Sequence, residues 1–103
     1  MKTALPKKIL TAMKTHSSFY QSVWKACALI PKGQVRTYGW IAKKIGKPGA
    51  ARAVGMALGK NPFAPTVPCH RVVGADGRLT GYSGAGGVQT KRRMLKAEGV
   101  PLP

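Results

Sequence analysis

A mainly α-helical fold with one short β-hairpin is predicted for this 103-residue chain by three features. Phe19, Val23, Trp24, Cys27 and Ala28 recur at helical spacing. Two more short helical stretches flank Gly46-Lys47-Pro48-Gly49. Gly74-Ala75-Asp76-Gly77 divides two β-prone pairs, Val72-Val73 and Arg78-Leu79. A chain of this length holds a single modest core.

Residues 1–17 are expected to form a lysine-rich arm, flexible or a short helix, preceding a domain over 18–103. Ser17 and Ser18 are both N-cap candidates for the first amphipathic helix, which should end near Pro31-Lys32-Gly33. Cys27 falls on that helix's apolar stripe and is assigned to the core. Gln34 to Thr37 reads as extended, and Thr37 caps a helix over Tyr38 to Ile45 with Ile41, Ala42 and Ile45 inward. After the Gly46–Gly49 break a helix from Ala50 to about Lys60 follows, stopped by Asn61-Pro62. Ala50, Ala51, Ala53, Gly55, Ala57 and Gly59 leave this helix little bulk, so its backbone can approach a partner surface or a neighbouring helix closely. Two short helices joined by a tight glycine-containing turn make a helix-turn-helix, and the hairpin beside it a wing. The predicted architecture is a winged helix-turn-helix DNA-binding domain. Gly81 to Gly87 is a glycine-rich loop around Tyr82 and Ser83. The last helix, about Val88 to Ala97, carries Lys91, Arg92, Arg93 and Lys96 and ends at Glu98-Gly99.

Eighteen Lys and Arg against two acidic residues give a formal charge of +16, which calls for a polyanionic partner, nucleic acid first and a membrane surface second. The 44% apolar content excludes a disordered basic tail. No signal peptide is legible, and no run approaches the roughly 18 apolar residues of a membrane span. Two cysteines without a secretory leader point to a reducing interior, cytoplasm or nucleoid. Cys27, Cys69, His16 and His70 lack paired ligand spacing, so no metal is expected.

Val67-Pro68-Cys69-His70-Arg71-Val72 concentrates the chemistry. A neighbouring imidazole that takes the thiol proton, or the positive field of Arg71, would raise the reactive thiolate fraction of Cys69. The alternative is a cysteine serving as a small buried hydrophobe. Asp76 is accounted for by its turn, whereas Glu98 lies at a helix C-terminus, where an anion is unfavourable. A carboxylate that orients a histidine would explain it. Arg52, a cation in a helix's first turn, is likewise misplaced for the dipole and suggests an external anion or a stacking role.

These residues together resemble the DNA-binding and active-site domain of O6-alkylguanine-DNA alkyltransferases and the related alkyltransferase-like proteins. The resemblance runs from Phe19 to Gly99 through Val23-Trp24, Pro31-Lys32-Gly33, Thr37-Tyr38, Ala50-Ala51-Arg52-Ala53-Val54-Gly55, Asn61-Pro62, Pro68-Cys69-His70-Arg71-Val72, Gly81-Tyr82-Ser83-Gly84 and Glu98-Gly99. It implies a cofactor-free monomer that enters the minor groove of double-stranded DNA, flips an O6-alkylguanine and takes the alkyl group onto Cys69. His70 would accept the thiol proton through a water, Glu98 would orient the imidazole, and Asn61 would brace the turn before the active-site segment. Tyr38, Tyr82, Ser83 and Leu58 would surround the base. Arg52 would fill the vacated stack, with Thr37, Ala51, Gly55 and Arg71 also at the DNA.

The chain departs from the family's pattern in two ways. No N-terminal α/β domain is expected, a truncation shared with alkyltransferase-like proteins, which bind alkylated DNA for excision repair. Those proteins typically carry Trp or Ala in place of the cysteine, whereas Cys69 is present here. Gly84 to Val88 also looks about two residues longer than usual, which bears on the size of alkyl group accepted. The competing functions are therefore a suicide alkyltransferase and a non-catalytic lesion binder that recruits an excision-repair partner.

Overall fold

The computed structural model describes residues 5–77, 79 and 87–101; the expectations for Arg78, Tyr82 and Ser83 lie outside these residues. The lysine-rich start forms a short helix, α1 (Lys7–Met13), and Met13 at its end is fully buried, with Lys7 and Lys8 in solvent. Helix α2 (Ser18–Cys27) is capped by Ser17, whose hydroxyl accepts the Tyr20 N–H at 3.2 Å. Its inner face, Val23, Trp24, Ala26 and Cys27, enters the core as the spacing predicts. The Trp24 indole donates to the Ala57 carbonyl at 2.9 Å, so the largest core side chain is satisfied while tying α2 to the helix that contains Ala57.

Thr37 caps α3 (Tyr38–Lys44) by accepting the Trp40 N–H at 3.0 Å. The end of α3 is set by Gly46, whose φ of +75° only glycine adopts cheaply. Its N–H donates to the Lys43 carbonyl and the Lys47 N–H to the Ala42 carbonyl, the paired bonds of a Schellman stop. The chain then turns into α4 (Ala51–Gly59), completing the expected helix-turn-helix.

The strand pairing differs from the hairpin expected. Val72–Val73 does form a strand, β2, but it pairs in parallel with β1 (Arg36–Thr37), Arg36 opposite Val72 and Thr37 opposite Val73. Both valines are buried, which suits a strand enclosed between helices better than a hairpin strand with one wet face. The turn after it forms, with the Gly77 N–H bonded to the Gly74 carbonyl at 2.9 Å, and Leu79 beyond it carries no strand. Between α4 and β2 lies a single 3-10 turn, Cys69–Arg71, and the last helix is α5 (Gly87–Ala97). Among the described residues no helix is long and apolar enough to cross a membrane.

Candidate active site

Four of the expected site residues converge on the 3-10 turn, for reasons local to each. Asn61 ends α4 and closes the following loop on itself: its Oδ1 accepts the Phe63 N–H at 2.8 Å and its Nδ2 donates to the Val67 carbonyl at 3.0 Å. The loop therefore delivers Pro68 and Cys69 from one fixed direction, and the Asn61 amide also hydrogen-bonds the sulfur. Cys69 is 6% exposed, and burial raises its thiol above the ordinary value, with Asn61 and the Lys91 charge opposing. The resting side chain is thus a thiol in need of a base.

His70 supplies one. It is almost fully buried, and its Nε2 lies 3.0 Å from Glu98 Oε2. The carboxylate takes the Nε2 proton, which leaves Nδ1 as the lone-pair nitrogen of the neutral ring. That Nδ1 is buried with no hydrogen-bond partner among the described residues. Burial lowers the imidazole below its usual value against the pull of Glu98, so the neutral, proton-accepting form prevails at pH 7.

Glu98 stands where helix electrostatics disfavour it, at the C-cap of α5. Gly99 follows with φ +83°, its N–H donating to the Lys96 carbonyl, and the Val100 N–H donates to the Leu95 carbonyl with Val100 buried. This second Schellman stop aims the carboxylate back at the turn. Gly99→Ala is expected to cost about 1 kcal/mol, because the left-handed backbone region is steric for any Cβ, and to lower Tm by roughly 4–8 °C in a thermal melt.

Arg71 is a correction to the expected DNA contacts. Its Nε and one terminal nitrogen donate to both Glu98 oxygens at 3.0 and 2.8 Å, and the other terminal nitrogen donates to the Ile30 carbonyl at 2.8 Å. The guanidinium is spent inside the protein, where it holds the Glu98 carboxyl down at about 2. Gly55 also faces inward: a Cβ there would meet the Tyr38 ring at 3.8 Å. Leu58 is buried in the core, and Thr37 is engaged as a cap. Ala51 is half-buried, whereas Arg52 is exposed on the first turn of α4 with no hydrogen bond or ion pair among the described residues.

Nothing in the sequence sets Lys91 apart from the cations beside it, yet it is fully buried. It donates to the Val72 carbonyl at 2.6 Å and lies 5.9 Å from the centre of the Tyr38 ring. Its helical spacing, one turn before Leu95 and two before Glu98, is the one signal that could have found it. A cavity of about 470 Å³ opens on His70, Arg71 and Glu98 between Lys32, Pro65 and Met94, and Cys69 does not line it. Among the described residues no three His, Cys, Asp or Glu side chains group as metal ligands.

Comparison with known proteins matches residues 18–100 to the family model described as 6-O-methylguanine DNA methyltransferase, DNA binding domain. The chain belongs to this family. A methylated-DNA–protein-cysteine methyltransferase of Mycobacterium tuberculosis is 58% identical over 87 residues, 84% of this chain and 52% of that protein. One from Methanosarcina acetivorans is 57% identical over 83 residues, covering 81% and 52%. The chain thus spans about half the length of the curated relatives it matches. Among solved structures, Mycobacterium tuberculosis OGT in complex with DNA aligns at TM-score 0.76 with 58% identity, over 81% of this chain and 50% of that one. The S. pombe Atl1 complex with damaged DNA containing O6-carboxymethylguanine aligns at 0.72 with 38% identity, over 81% and 77%. These relatives are DNA-repair methyltransferases and DNA-bound proteins of the helix-turn-helix type.

Proposed function

We propose that this domain repairs O6-alkylguanine in duplex DNA by moving the alkyl group onto Cys69, once and irreversibly. The observation that carries this reading is the line Glu98–His70, with His70 Nδ1 buried and unpartnered beside the cysteine turn. A structural histidine would have both nitrogens satisfied. Through one water, Nδ1 takes the Cys69 proton and the imidazolium is stabilised by Glu98. The sulfur lone pair then forms the S–C bond to the alkyl carbon as the C–O6 bond breaks, and that electron pair passes into the guanine. The ring takes back one proton, so the reaction balances without a cofactor and leaves guanine and a thioether.

Chemistry at O6 requires the base to leave the stack, at a cost of a few kcal/mol. Exposed Arg52, projecting from a helix of small residues, is suited to occupy the space vacated, and the charge of +16 supplies phosphate affinity from the minor-groove side. Arg52→Ala should weaken binding to a lesion duplex by roughly tenfold while changing single-strand binding far less. Equal losses on both, read by fluorescence anisotropy at one salt concentration, would remove the finger assignment.

The competing reading is a lesion binder that recruits excision repair. It is favoured by the Atl1 alignment, which covers 77% of that chain, and by a thiol that burial keeps protonated. Intact-protein mass after incubation with an O6-methylguanine duplex separates them. A methyl increment on the Cys69 peptide supports transfer, and tight binding with no increment supports the binder.

A further inference from the structure

Helix α5 is basic, but its cations divide sharply: Arg92, Arg93 and Lys96 are exposed, while Lys91 is fully buried. Burying an ammonium costs several kcal/mol unless something compensates. A methionine of similar length would fill the same position beside Leu95 without that cost. Lys91 is anchored at three points of the site: on the carbonyl of Val72, one residue past the cysteine turn, over the ring of Tyr38, and within the electrostatic reach of Cys69.

We propose that Lys91 is a positioning residue of the Cys69 reaction: its ammonium, held on the Val72 carbonyl and the Tyr38 ring, is the positive charge that stabilises the sulfur as its proton leaves. This role rests on Cys69 being the nucleophile. The charged and titratable groups around the sulfur are few. His70 and Arg71 come from its own turn, and Arg71 is matched by Glu98 through two hydrogen bonds. Cys27, from α2, is a thiol whose burial pushes it up. Tyr38, from α3, faces Lys91. The positive field left at the sulfur is therefore that of Lys91. Burial lowers this amine to about 8, against the favourable influence of the two thiols, so it is still mostly charged at pH 7 and is retained at a cost to stability.

The test measures Cys69 carboxamidomethylation by iodoacetamide as a function of pH, by peptide mass, together with methyl transfer from an O6-methylguanine duplex. Lys91→Met should melt at or above the wild-type temperature, yet its thiol reactivity profile should move up by about one pH unit, a roughly tenfold slower reaction at pH 7. Lys91→Arg, which keeps the charge, should restore most of the rate. Lys91→Gln, which keeps a donor for Val72, should show the same upward shift as Lys91→Met and covers the case in which the methionine variant does not fold. A profile that stays in place in the uncharged variants overturns the proposal, even if the wild type repairs DNA. A shifted profile in a protein that takes no methyl from DNA upholds the electrostatic role of Lys91 and sinks the transfer reading instead.

Discussion

Cys69→Ser should abolish methyl transfer from an O6-methylguanine duplex, by roughly 10³-fold or more, while lesion binding is retained. That is at least about 4 kcal/mol of barrier. The physical reason is acidity. The site holds a buried thiol that a neutral imidazole can deprotonate with help from Asn61 and Lys91. A serine hydroxyl is several units less acidic, and the same neighbours cannot ionise it. The substitution removes no packing of consequence, since the side chains are nearly isosteric and the turn is held by the Asn61 bonds. Single-turnover mass spectrometry gives the rate and anisotropy the affinity. If wild type and variant both bind and neither gains mass, the protein is a lesion binder.

Glu98→Gln has the second largest expected effect, and it acts on two quantities at once. The carboxylate accepts from His70 and twice from Arg71. Glutamine keeps one acceptor and brings a donor to face the guanidinium or the imidazole. His70 then loses the anion that stabilises its protonated state, and transfer should fall roughly 10²-fold, the lower range for a general base. Stability should fall by about 2 kcal/mol, because a largely enclosed Arg71 is left half-matched. The pH dependence identifies the cause. Glu98 is depressed to about 2 from its ordinary 4.5, so its contribution is complete above 4.5 and disappears as the pH falls toward 2. The stability gap between wild type and variant should close across that window in urea titrations. A gap that persists at pH 2 would assign the loss to packing.

Much of the fold and part of the site are legible in the sequence because they are local. Ser17 and Thr37 are caps, the glycines after α3 and α5 are stops, and the α2 stripe is core; each is set by neighbours within one or two turns. Local patterns leave the rest undetermined. Val72-Val73 before a Gly-Ala-Asp-Gly turn is as good a hairpin strand as it is a buried parallel one. Only a partner 36 residues earlier in the chain, β1, decides between them. Arg71 beside a candidate nucleophile reads equally as a DNA contact or as an internal clamp, and Lys91 in a run of cations reads as solvated surface.

By itself, then, the amino-acid sequence determined the helix-turn-helix, the cysteine-histidine dipeptide, the anomalous carboxylate and the demand for a polyanion. These follow from periodicity, turn chemistry and charge, none of which needs distant contacts. The tertiary structure alone decided that Glu98 meets His70 across 28 residues, that Arg71 turns inward to serve both Glu98 and the Ile30 carbonyl, and that Lys91 lies in the core against β2 and Tyr38. The direction of a charged side chain depends on which desolvated partner the fold brings within hydrogen-bond reach, and that partner lies elsewhere in the chain.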